Sequence, residues 1–146
     1  MRSFEIENGR EFMNTLFLKE QFDDFLLIEA DISAAVDVHI NGRINKGFYD
    51  EDARPENEYV RYGDERETLL SLIKGDRRPL AVKLVLFHPA ADNTHIEGGC
   101  INVFFSEGKV RVTSAVSYKT FDPDLSGDRS WDSYVEKLLI SVADIK

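Results

Sequence analysis

The stretch Leu80–Phe121 limits what this chain can fold into more than any other. Leu80-Ala81-Val82-Lys83-Leu84-Val85-Leu86-Phe87 is apolar at every position but Lys83, the pattern of a strand covered on both faces. Cys100–Phe105 is a second apolar run. Beyond Glu107-Gly108 comes Lys109–Tyr118, which alternates: Val110, Val112, Val116 and Tyr118 share one face, and Lys109, Arg111, Thr113 and Ser117 the other. A two-residue loop at Glu107-Gly108 pairs Phe105 with Val110, Val103 with Val112 and Ile101 with Ser114. Turn chemistry and hydrophobic register thus demand the same pairing, so this meander is expected to be the middle of an antiparallel sheet.

The remaining elements follow in order. Ser3–Ile6 reads as a short opening strand. Asn8-Gly9-Arg10-Glu11 has the layout of a capping box, and Phe12, Met13, Leu16 and Phe17 follow at helical spacing, which predicts a helix over 9–18. Phe25–Ile32 and Val36–Ile40 alternate as strands, with Ser33-Ala34-Ala35 a soft break between them. Asn41-Gly42 is a hairpin signal, and a three-residue loop with Gly42 in the left-handed region pairs Val38 with Ile44. Tyr49–Tyr59 is irregular and reads as a surface loop. Asp64-Glu65-Arg66-Glu67 repeats the capping-box layout, with Leu69, Leu70, Leu72 and Ile73 as a buried stripe and Gly75 as a stop, predicting a second helix over 64–74. Trp131, Val135, Leu138 and Val142 predict a terminal helix over 130–143.

The expectation is one α+β domain over 1–146: a largely antiparallel, strongly curved sheet in the order β-α-β-β-β-α-β-β-β-α, with the two capped helices on one face. The length suits a single core, since domains cluster at roughly 100–150 residues. No apolar run approaches the ~18 residues of a membrane span, and Met1-Arg2-Ser3-Phe4-Glu5 does not read as a signal peptide. The lone Cys100 cannot close an internal disulfide, which points to a reducing, cytoplasmic setting. Net charge is −9, with −7 carried by residues 1–52, +1 by 53–83 and −3 by 84–146. A domain that binds DNA freely needs a basic surplus to neutralise phosphates, and none is present.

Two resemblances bear on the fold. Phe25-Leu26-Leu27-Ile28-Glu29-Ala30, Ile40-Asn41-Gly42-Arg43, Phe48-Tyr49, Leu72-Ile73-Lys74-Gly75 and Arg78-Pro79-Leu80 together resemble an uncharacterised family of small proteins from Firmicutes bacteria. That resemblance spans nearly the whole chain and implies no functional residue, because no activity is assigned to the family. The element order is similar to one domain of the DNA sliding clamps, where two helices lie on one face of a curved sheet and carry basic side chains toward DNA. Here Arg10 and Lys19 are offset by Glu11 and Glu20, and Arg66 and Lys74 by Glu65 and Glu67, a departure that argues against encircling DNA.

Chemistry is sparse. Asp37 and His39, two residues apart, share a strand face, with Glu29 and Asp31 as neighbours, and imidazole with carboxylates suits a divalent transition ion. The polar face of a half-exposed strand holds such residues without any metal. His88 and His95 bracket a loop with Asp92 and Glu97, at a spacing that fits no metal motif. Cys100 opens an apolar strand, where a thiol packs as a small hydrophobe. Arg61, Arg77, Arg78 and Lys83 form the one basic group suited to a phosphate or an acidic partner, but Asp64, Glu65, Glu67 and Asp76 interleave with it. Phosphate-cradling loops, dinucleotide fingerprints and nucleophile elbows are all missing, so no cofactor is expected. The reading is a non-enzymatic binding or assembly module working through protein–protein contact or self-association. A small metal-dependent enzyme built on Asp37/His39 or His88/His95 is one alternative, and a clamp-like nucleic-acid accessory protein another.

Overall fold

The computed structural model of the chain describes residues 2–73, 78–89, 96–118 and 126–142. The elements are β1 (Arg2–Ile6), α1 (Gly9–Leu18), β2 (Leu26–Ser33), β3 (Asp37–Asn41), α2 (Tyr62–Ile73), β4 (Ala81–Pro89), β5 (Ile96–Ser106), β6 (Lys109–Tyr118) and α3 (Ser126–Val142), with 3-10 turns at Lys46–Phe48 and Glu51–Ala53. The six strands form one open antiparallel sheet in the order β1-β6-β5-β4-β2-β3, and the fold is α+β as expected.

The β5–β6 hairpin has the register its turn required: Phe105 pairs with Val110, Val103 with Val112 and Ile101 with Ser114. Glu107 and Gly108 both have positive φ, 54° and 76°, the geometry of the tight turn whose twist matches that of the flanking strands. From this hairpin the pleat sets the core face of the whole sheet. One transverse row runs Phe4–Val112–Val103–Leu84–Ala30–Ile40, a residue from every strand, and all but half-buried Ile40 are buried. In β2 the register shifts between Leu27 and Glu29. This bulge at Ile28 lets Leu27 and Ala30, three residues apart, both face the core.

The region around Asn41-Gly42 departs from expectation. β3 turns back at Ala34–Val36 and pairs with β2, setting Ile32 against Val38 and Ala30 against Ile40. Val38 therefore finds its apolar neighbour in β2 rather than in Ile44. Gly42 is a point of close approach, not a left-handed turn: its N–H donates to Ile28 O at 2.8 Å, and a Cβ there would lie 1.8 Å from Leu27 O. The strand expected beyond it is reduced to a single bridge, Arg43 to Tyr59.

α1 spans the expected residues, and Asn8 Oδ1 accepts from Glu11 N at 3.0 Å. α2 starts two residues earlier than the capping-box reading, at Tyr62. Its expected apolar stripe is only partly buried: Leu69 is buried, while Leu72 is 38% exposed. Tyr62 supplies the anchor instead, fully buried with its hydroxyl donating to Leu16 O at 2.8 Å. Arg66 on α2 grips Asp23 through Nε at 2.9 Å and Nη2 at 3.3 Å, and also donates to Phe17 O, tying α2 to the end of α1. α3 begins earlier than expected, at Ser126. It lies across β6 and β5, burying Val135, Leu139 and Val142. Trp131 Nε1 donates to Cys100 O at 3.0 Å, and Ser114 Oγ bonds Asp132. The indole sits flat on Gly99, where a Cβ would come within 2.2 Å of the ring.

Two outcomes test this packing. Gly99→Ala is expected to lower stability by about 1–3 kcal/mol, as overpacking does, and to cost much less in a Trp131→Ala background. Denaturant titration of the four proteins measures that coupling. Burial pushes the Tyr62 phenol well above its ordinary value of 10.0. The folded state thus keeps a proton that the unfolded state loses, so stability falls as pH rises above 10.0. Tyr62→Phe removes that contribution, and its stability measured from pH 9 to about 11.5 should fall less steeply than the wild type's.

Candidate functional site

All three helices contribute buried residues to the same core cluster as the inward face of the sheet. No described helix covers the outward face. Its residues follow from the strand alternation and form transverse rows. One row is Glu5–Arg111–Phe104–Lys83–Asp31–His39, again one residue per strand. The next is Ser3–Thr113–Asn102–Val85–Glu29–Asn41, and beyond it lies the shorter apolar row Ala115–Cys100–Phe87–Leu26. Leu26, Val85, Phe87, Cys100, Phe104 and Ala115 are all only half-buried. The run Leu80–Phe87 was expected to be covered on both faces. Among the described residues, one face of it is covered.

Charge on this surface is arranged in short-range pairs. His39 Nδ1 lies 2.5 Å from Asp31 Oδ1 across the β2–β3 hairpin, and Lys83 Nζ lies 3.2 Å from Glu29 Oε1. The Arg111 guanidinium rests 5.3 Å from the centroid of the Phe104 ring, a cation–π contact between neighbouring strands. A hollow of about 460 Å³ opens at the strand ends beside this row, lined in part by Asp31, Asp37, His39, Lys83, Phe104 and Ser106.

Ligand atoms of Glu29, Asp31 and His39 all lie within 4.8 Å of one another. Asp37 does not join them, because its Oδ1 accepts from Ser33 Oγ at 2.7 Å where the hairpin turns. His88 lies on the other face of the sheet, in an aromatic cluster 5.4 Å from Phe25, 6.3 Å from Tyr134 and 6.4 Å from Trp131 by ring centroids. His39 and His88 are thus on opposite sides of the sheet, and His95 lies outside the described residues.

The basic group is spread out. Arg61 precedes α2 and pairs with Asp24 at 3.1 Å and Asp64 at 3.4 Å, and these neighbours, Asp24 foremost, raise its pKa further. Lys83 is on the outward face, Arg78 is exposed before β4, and Arg77 lies outside the described residues. Burial pushes the Cys100 thiol up, which keeps it protonated and suits a packing role. Glu5, Phe104 and Arg111 were not singled out in the sequence. The legible signal was the β5–β6 register, which sets Arg111 opposite Phe104; nothing local showed that β1 or β4 would extend their row.

Comparison with curated proteins and with solved structures finds no match, so the similarity in element order to a sliding-clamp domain is not confirmed. A family of unknown function, DUF5721, matches residues 15–145, from within α1 through α3, and the chain belongs to that family.

Proposed function

We propose that this protein is a non-enzymatic binding module that engages a protein partner through the outward face of its sheet. The observation that carries this reading is the one-sided covering of the sheet. Among the described residues, three helices bury one face, while the other keeps a half-buried apolar centre, Leu26, Val85, Phe87, Cys100, Phe104 and Ala115, bordered by charged pairs. An apolar centre with a polar rim is the usual anatomy of a contact surface. The edge strands offer less. β1 and β3 are five residues each, and β3 alternates exposed Asp37, His39 and Asn41 along its length, which discourages strand addition.

Cys100 reports on this surface. Its thiol is the only one in the chain and belongs to the apolar row. Reaction with a small maleimide is expected to be several-fold slower in intact cells than in dilute purified protein at the same pH. Equal rates would overturn the reading.

A second reading, a divalent-cation site, is favoured by the closeness of Glu29, Asp31 and His39. Two carboxylates and one imidazole suit a first-row transition ion, and the entering cation would take the place of the Lys83 ammonium at Glu29. Adding Zn²⁺ or Mn²⁺ to metal-free protein should then raise Tm, and His39→Ala should abolish the rise. An unchanged Tm in the wild type removes this reading and leaves the first intact.

A further inference from the structure

The outward row Glu5–Arg111–Phe104–Lys83–Asp31–His39 has a property that no single pair in it shows. Reversed end for end, it is complementary to itself. We propose that the partner of this face is a second copy of the same chain, stacked sheet to sheet about a two-fold axis that runs along the strands between β4 and β5. This inference rests on the binding-module reading and names its occupant.

The axis follows from the charges. A two-fold along the strands lays the row on its own reverse. Glu5 then faces His39 of the second copy, Arg111 faces Asp31 and Phe104 faces Lys83, and every contact occurs twice. One opposite-charge contact, Arg111 with Asp31, one cation–π contact and one carboxylate–imidazole contact result, repeated by symmetry. A two-fold along the row instead sets Glu5 on Glu5, Arg111 on Arg111 and Lys83 on Lys83, a column of like charges. Of these two orientations, the first avoids like-charge contacts along the row.

The neighbouring rows agree with the same axis. Ala115 meets Leu26 and Cys100 meets Phe87, apolar on apolar. Asn102 meets Val85, Thr113 meets Glu29 and Ser3 meets Asn41, none a like-charge clash. At the other end Lys109 meets Ser33 and Ser106 meets Ala81, while Asp37 falls past Ile6, the last residue of β1, beside Glu7. Packed sheets lie ~10 Å apart, the depth that two layers of such side chains fill. With strands ~4.8 Å apart, Arg111 and Asp31 each stand about 7 Å from the axis. The usual crossing of about −30° between stacked sheets separates them laterally by roughly 4 Å, within reach of an arginine side chain. Six strands span about 24 Å, so the face is large enough for a weak-to-standard interface but not for an obligate one. The net charge of −9 makes two copies repel in general, and bringing Arg111 over Asp31 twice offsets that repulsion locally.

Sedimentation velocity on the full chain across a concentration series tests this. The wild type is expected to form dimers in the tens-of-micromolar range. Arg111→Glu and Asp31→Arg should each raise the dimer dissociation constant at least tenfold, since each places like charges together twice. Mixed in equal amounts they should dimerise again, because the pair then holds Glu opposite Arg at one contact and Asp opposite Arg at the other. Glu5→Lys with His39→Glu repeats the cycle at the row's ends, should either first variant fail to fold. Variants that dimerise as the wild type does, or a mixture that stays monomeric, would overturn the proposed register. A wild type that remains monomeric to about 1 mM would overturn the second copy as partner. In that case slow Cys100 labelling in cells would leave the face engaged by another protein, and fast labelling would remove both readings.

Discussion

The register of the β5–β6 hairpin is the constraint on which the rest of this fold depends. Because side chains alternate strictly along a strand, a slip of one residue between β5 and β6 would set Val103 opposite Arg111 or Thr113, turning one strand's apolar residues outward and its outward residues against the helices. The turn prevents that slip. Glu107 and Gly108 occupy the two left-handed positions that a two-residue loop needs, and only this placement sets Phe105 against Val110. β4 and β1 then copy the hairpin's face on either side, and α3 is anchored to it by Trp131 over Gly99 and by the Trp131 bond to Cys100 O. Sheet, terminal helix and outward surface inherit one choice made at a two-residue turn.

That choice was legible because three local signals coincided: turn residues, alternation and strand length. The first helix was legible for the same reason, with Asn8 and Glu11 marking its start and Phe12, Leu16 and Phe17 its buried face. The β2–β3 hairpin was not. Asn41-Gly42 carries the strongest turn signature in the chain, yet Gly42 is needed for its missing side chain rather than for positive φ. The actual turn, Ala34–Val36, contains neither glycine nor asparagine. Ser33 helps hold it through its bond to Asp37, a contact between the two ends of the loop that no spacing rule singles out. The β2 bulge hid the pairing further, since Leu27 and Ala30 read as opposite faces until Ile28 is looped out of register. The candidate site shares that fate. Once β3 folds onto β2 through this turn, Asp31 must face His39; while β3 was paired with Ile44, Asp37 was the nearer carboxylate.

The apolar run Leu80–Phe87 illustrates a different limit. A strand apolar on both sides reads as one buried on both sides, and the core requires only Val82, Leu84 and Leu86. Val85 and Phe87 face outward with Cys100 and Phe104 and remain half-buried. Nothing in the folding of the described chain calls for apolar residues there. Burying a side chain of that size is worth roughly 1.5–3 kcal/mol, so a row of them left half-buried represents stabilisation still available to an association.

The ion pairs on the two sides of the sheet divide along the same line. Arg66 and Asp23, 15% and 11% exposed, sit among the helices and join α2 to the end of α1, and removing one partner would strand a charge in a nearly closed space. His39–Asp31 and Lys83–Glu29 are 34–58% exposed, in the range where ion pairs add little to stability. Their value therefore lies elsewhere than in holding the monomer together. What they do accomplish is to place charged groups beside the half-buried apolar centre of that face, and a charge pattern of this kind discriminates between orientations of whatever lands on it. Charges that contribute little to the fold that carries them act on the orientation of an approaching surface rather than on the stability of the monomer.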